Sequence, residues 1–131
     1  MTLDSSIPKI ELPFDGIHKV VQFLVDGIPY LRFRRDYHTD IVKRFADEIG
    51  VKAIVDIKHY TPLFFLPDEN MICGMGRCEL NLTDRKAEFY GTSTDYYSNF
   101  PDIGAISEEH LELIKPFSQN INMTYNPLRY R

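Results

Sequence analysis

The hydrophobic period of this chain changes at residue 37, and that change constrains its fold more than any other feature. Before it, residues 17–25 alternate, with Ile17, Lys19, Val21, Phe23 and Val25 on one side of an expected strand. Asp26-Gly27 is a hairpin signal, because both residue types tolerate the positive φ of a two-residue turn. The return strand is expected over 29–35, with Leu31 and Phe33 inward and Arg32 and Arg34 sharing the opposite face. After residue 37 the spacing becomes helical. His38, Ile41, Val42, Phe45 and Ile49 fall in one stripe, and Gly50 is a natural C-terminal stop.

The alternation returns at Val51, Ala53, Val55 and Ile57, read as another strand. Residues 60–70 contain Pro62 and Pro67 and read as a surface loop. Residues 71–82 and 87–92 are expected to form a second hairpin turned at 83–86, followed by a loop over 93–104. Ser107 would cap a second helix, with Glu108 and Glu109 at its positive end, Ile106 stapled to Leu111 and Pro116 as the stop. Residues 119–125 read as a short final strand. Residues 1–13 read as a loose arm and 14–131 as one domain. The expected class is α+β: a single domain with a mainly antiparallel or mixed sheet of about six strands, flanked by two helices.

Composition narrows the function classes. A net charge of -4 on 131 residues argues against a general polyanion binder, so no nucleic-acid partner is expected. No apolar run is long enough to cross a bilayer and no signal peptide is visible, so neither a membrane nor secretion is expected. Cys73 and Cys78 lie five apart, which regular alternation sends to opposite faces. They are read as reduced thiols of a cytoplasmic protein rather than a bridge or a metal pair.

Two residues break the apolar pattern. Lys19 lies on the more apolar side of the first strand, so it either reaches water at the rim or meets a fixed negative group. His38 lies on the helix's apolar stripe in its first turn, where free backbone N–H groups and the positive dipole end favour an anion. It is either a core histidine bonded to a carbonyl, or a neutral imidazole beside a bound anion whose countercharge Lys19 supplies. Gly74-Met75-Gly76-Arg77 suggests a bulge or a close backbone approach, and Arg77 offers a fork suited to phosphate. Its alternation with Glu79 and Asn81, however, puts Arg77 on a polar, solvated face. Tyr90-Gly91-Thr92-Ser93-Thr94 can present hydroxyl and amide donors to a phosphoryl group and is also ordinary loop chemistry.

Other candidates are weaker. Asp36, His38 and Asp40 would share a metal only in an extended stretch, so no metal is expected. His18, His59 and His110 lack ligand spacing and are read as surface or structural. Arg32, Arg34 and Arg35, set among Tyr30, Phe33 and Tyr37, could contact a single strand of nucleic acid but are read as a solvated strand face.

Three segments, in order, resemble the Janus family, whose animal members include a small phosphohistidine phosphatase. They are Asp15-Gly16-Ile17-His18-Lys19-Val20, Tyr37-His38-Thr39-Asp40-Ile41, and Gly74-x-Gly76-Arg77 running on to Tyr90-Gly91-Thr92-Ser93. The start of the second helix, Ala105-Ile106-Ser107-x-Glu109, also matches, so the resemblance covers roughly residues 14–125. It implies a metal-free, cofactor-free enzyme with His38 as the catalytic histidine. Lys19 and Arg77 would bind phosphate, with the Thr39 backbone and the Ser93-Thr94 pair completing the pocket. Gly104 stands where the animal enzyme has a histidine, and the 96–104 loop is longer.

The resemblance leads to a metal-independent phosphatase acting on phosphohistidine-containing proteins, with His38 as nucleophile or general base. The alternative is a non-catalytic phosphate-binding adaptor of the same fold. A monomer that takes phosphate or sulfate in its pocket is expected.

Overall fold

The computed structural model describes residues 3–57 and 62–130. His59 and Tyr60 lie outside the described residues. β1 (Gly16–Val25) and β2 (Ile28–Arg34) form the expected antiparallel hairpin. Asp26 and Gly27 turn it with φ of 51° and 77°, the pair of positive values a type I′ turn requires. α1 (His38–Ile49) follows and ends at Gly50, whose left-handed φ of 77° lets its N–H return to the carbonyls of Ala46 and Asp47.

β3 (Ile54–Asp56) and β4 (Leu63–Phe65) pair as a small antiparallel sheet of their own. β5 (Ile72–Asn81) and β6 (Lys86–Tyr90) make the second large hairpin. α2 (Thr94–Asn99), α3 (Glu108–Ile114) and β7 (Asn122–Tyr125) complete the chain. The main sheet has the order β2-β1-β5-β6-β7, antiparallel throughout except for the parallel β6–β7 pair. The chain is therefore an α+β domain with a mixed five-stranded sheet, an extra hairpin and three helices.

Each face of the sheet is covered by a different helix. α1 brings Ile41, Val42, Phe45, Ala46 and Ile49 onto Val21, Phe23, Val25, Tyr30 and Met75. Phe23 stacks on Phe45 with ring centroids 4.1 Å apart, a contact that holds α1 to the centre of the sheet. On the other face α3 packs Leu111 and Ile114 against a layer that includes Val20, Leu31, Cys78, Leu80 and Phe89. Ile106 and Leu111 share this cluster, as a staple requires.

Several expectations are corrected. The strand over 51–57 shrinks to three residues outside the main sheet, because Val51 and Ala53 pack on the core while Ile54 and Val55 stay exposed. The 60–70 loop holds β4 and a single 3-10 turn, Glu69–Met71. The 93–104 loop holds α2, a six-residue helix too short for a hydrophobic period to show. The arm is not loose where it meets β2: Leu31 donates to the Lys9 carbonyl at 2.7 Å, and Ile10 is buried.

Arg32 is not solvated either. It is 7% exposed, its guanidinium grips both carboxylate oxygens of Glu48 at 3.0 and 2.7 Å, and it donates to the Pro8 carbonyl at 2.7 Å. The arginine–aromatic strand expected to face water is thus partly consumed in fixing α1 and the arm to the sheet edge. His18 and His110 are structural: His18 bonds the Phe14 carbonyl through Nε2, and His110 Nδ1 accepts from the Ser107 N–H at the start of α3.

Candidate functional site

The strand pairing builds the site. β1 and β5 lie side by side with Val21 opposite Met75, Val20 opposite Gly76 and Lys19 opposite Arg77. Val21 and Met75 sit under α1. Two residues along the strands, on the same face, Lys19 and Arg77 fall just beyond the first turn of α1. Arg77 does share a face with Glu79, as its alternation suggests, but that face is apolar under the helix and charged past its end. Arg77 therefore lines a cavity instead of standing in solvent, which corrects the reading of a solvated arginine.

That cavity, about 170 Å³, is bounded by Lys19, Tyr37, His38, Thr39 and Leu63 on one side. Arg77 and the run from Thr92 to Tyr96 bound the other. All six residues singled out from the sequence (Lys19, His38, Thr39, Arg77, Ser93 and Thr94) meet there. Five lining residues were not singled out as site residues: Tyr37 and Thr92, which stand inside the motifs noted above, and Leu63, Asp95 and Tyr96. Ser93 followed by an acid two residues on is a helix-start signal that could have revealed α2, and with it Asp95 and Tyr96.

His38 is 6% exposed and its Nε2 lies 2.7 Å from the Gly76 carbonyl oxygen. A carbonyl can only accept, so Nε2 carries the proton and the neutral ring keeps its lone pair on Nδ1. Burial is the main reason its pKa is pushed down to about 4, and the positive charges of Lys19 and Arg77 push the same way. The Gly76 hydrogen bond and the negative charge of Asp95 oppose them without prevailing. Near neutral pH the imidazole is unprotonated. The two readings left open for His38 are compatible here, since it is both bonded to a carbonyl and placed on the cavity wall.

Gly76 makes that carbonyl available. A Cβ on Gly76 would lie 2.7 Å from the Tyr90 carbonyl oxygen and 2.8 Å from that of Gly91. A Cβ on Gly74 would lie 2.6 Å from the Ala105 oxygen. The two glycines thus serve close approach of the protein's own backbone, on the β6 side and the α3 side. The bulge suggested by the glycines is present as well: Phe23 pairs with Ile72 and Gln22 with Gly74, leaving Cys73 as the extra residue. Both cysteines are free thiols whose pKa burial raises.

The first turn of α1 has no side-chain cap from Tyr37, so no side chain of the capping residue competes for its backbone donors. Thr39 turns its hydroxyl away from that task. Its Oγ1 accepts the Phe64 N–H at 2.8 Å and so ties β4 to the start of α1. Tyr96 donates its hydroxyl to the Phe64 carbonyl at 2.6 Å, tying α2 to the same strand. Ser93 Oγ caps α2 by accepting the Tyr96 N–H at 3.4 Å, while its own proton remains to be donated. Lys19 lies 5.7 Å from the exposed Tyr37 ring, with Nζ 3.4 Å from the Arg35 carbonyl oxygen. One neutral imidazole, two cations and the start of a twelve-residue helix together favour a compact anion with several acceptor oxygens.

No group of three or more His, Cys, Asp and Glu residues that could hold a metal ion occurs among the described residues. Nor is any helix among them long and apolar enough to cross a membrane. No family model matches the chain, and no curated protein matches it.

Proposed function

We propose that this protein is a metal-independent phosphatase that hydrolyses phosphohistidine in protein substrates, as its resemblance to the Janus family implies. One observation carries the reading. A neutral imidazole, fixed by the Gly76 carbonyl and basic at Nδ1, shares a small cavity with Lys19, Arg77 and the first turn of α1.

Phosphoryl transfer is mainly a matter of positioning and charge stabilisation. Lys19, Arg77 and the donors of the first turn of α1 take the phosphoryl oxygens, with hydroxyls from Ser93 and Thr94 completing the set. Nδ1 of His38 then either attacks phosphorus, giving an N-phosphorylated His38 that water hydrolyses, or takes a proton from the attacking water. The substrate class requires an open mouth, and the exposed Tyr37 lines the cavity there. The cytoplasm is the compartment that suits a protein with two free cysteines and phosphoprotein partners.

The test is release of inorganic phosphate from a histidine-phosphorylated peptide with EDTA present, comparing the wild type with His38→Ala. Turnover that collapses in the variant is expected. If neither protein turns over and both bind phosphate, the adaptor reading replaces the enzyme.

A further inference from the structure

The charged residues that line the cavity are Lys19, Arg77 and, against them, Asp95, whose negative charge is felt at His38. An acid in an anion pocket repels the phosphoryl group and needs a reason. Its place as the second residue of α2 suits the helix dipole, which accounts for an acid in that turn but not for one at the lining of an anion pocket. Asp95 is exposed, and among the described residues its carboxylate makes no ion pair or hydrogen bond, so it is free to meet a ligand. Its charge also reaches His38, acting against Lys19 and Arg77.

We propose that Asp95 recognises the cationic nitrogen group of a phosphoramidate, so that the cavity takes N-phosphorylated basic side chains in preference to phosphate esters. The inference rests on the phosphohydrolase reading above and names the feature by which the site selects among phosphorylated residues. A phosphohistidine ring protonated on its free nitrogen presents an N–H and a positive charge beside the phosphorus. Lys19 and Arg77 match the phosphoryl oxygens, and Asp95 accepts that N–H. An ester oxygen has neither a proton to offer nor a positive charge, and meets only the repulsion.

The pairing also removes the need for a separate acid at the leaving nitrogen. As water's oxygen bonds to phosphorus, one of its protons passes to His38 Nδ1. The electron pair of the breaking P–N bond stays on the phosphorus-bearing nitrogen. The ring, already protonated on its other nitrogen, leaves as neutral imidazole, and phosphate and protonated His38 remain. If His38 attacks first, the same neutral ring leaves and water cleaves the N-phosphorylated His38 in a second step. A phospholysine protonated on its phosphorus-bearing nitrogen leaves as a neutral amine by the same account.

Two readouts separate this role from a structural one: kcat/KM for a histidine-phosphorylated peptide, and the inhibition constant of inorganic phosphate, which has no leaving nitrogen. In Asp95→Asn, kcat/KM is expected to fall about tenfold or more, the scale of one charge-assisted hydrogen bond. Phosphate is expected to inhibit as well as before or more tightly, because the repelling charge is gone, and Asp95→Glu is expected to recover part of the turnover. Parallel weakening of both readouts, or no change in either, overturns the proposal. A wild type that turns over no phosphohistidine peptide refutes the hydrolase reading instead. A wild type that does, with Asp95→Asn unaltered, refutes only the role of Asp95.

Discussion

Replacing Gly76 by alanine tests how the site is held. The added methyl would stand 2.7 Å from the Tyr90 oxygen and 2.8 Å from the Gly91 oxygen. Ordinary contact begins near 3.4 Å, so the shortfalls are 3.4 − 2.7 = 0.7 Å and 3.4 − 2.8 = 0.6 Å. Both obstacles are backbone, and Tyr90 lies within the pairing of β5 with β6, so neither side can give without disturbing the sheet. Overpacking of this kind costs about 1–3 kcal/mol. For a domain of this length that lowers the unfolding midpoint by roughly 3–15 °C. The functional loss should be larger in proportion, because the Gly76 carbonyl is what orients His38. A displacement approaching 1 Å at a reacting group costs on the order of 100-fold in rate, and a part of that movement at least about tenfold. Gly104→Ala is the control, since nothing lies within 4 Å of a Cβ there. The assays are thermal unfolding and phosphate release from a histidine-phosphorylated peptide. A Gly76→Ala protein matching the wild type in both would refute the reasoning.

Other consequences follow from particular contacts. Between pH 6.5 and about 4 the unfolded chain protonates His38 while the folded one does not, so stability must fall as pH drops through that window. That interval, at about 1.36 kcal/mol per pH unit, amounts to on the order of 3 kcal/mol. Urea midpoints at pH 7 and pH 4.5 should therefore diverge less in His38→Gln than in the wild type, and equal divergence would contradict the assignment. Removing the charge of Lys19 or Arg77 by Met should weaken phosphate binding about 10-fold in each case, measured by calorimetry. Either change should also raise the His38 pKa, read by NMR titration, because both cations hold it down. Arg32→Met leaves Glu48 and the Pro8 carbonyl without their partner and should cost about 2–3 kcal/mol in urea unfolding. The arm should become a protease target in that variant; an arm that stays protected would mean that the Lys9–Leu31 pairing alone secures it.

Where local spacing decides structure, the sequence is a sufficient guide. Asp26-Gly27, the stripe from His38 to Ile49, Gly50 and the Ser107 start of α3 each carry their own signal, and each element forms where that signal lies. Short elements escape because their stability is borrowed. α2 is held by the Ser93 cap and the Tyr96–Phe64 bond, and β3 and β4 are held by each other and by Thr39. Nothing in six or three residues of local pattern encodes those partners.

Arg77 shows where the candidate site passes beyond local reading. Alternation tells which residues share its face, but not what covers that face. The answer depends on β1 and β5 pairing across more than fifty residues of chain, and on where α1 begins along them. A shift of that register by one residue would turn Arg77 to the α3 side, and a shift by two would carry it away from Lys19. The β1–β5 ladder, set by the bulge at Cys73 and the close fit of Gly74 and Gly76, therefore determines the charge of the cavity. The same glycine that admits the β6 backbone also supplies the carbonyl that sets the His38 tautomer. Register, charge placement and the basic atom of the imidazole thus depend on one short segment, residues 73–77.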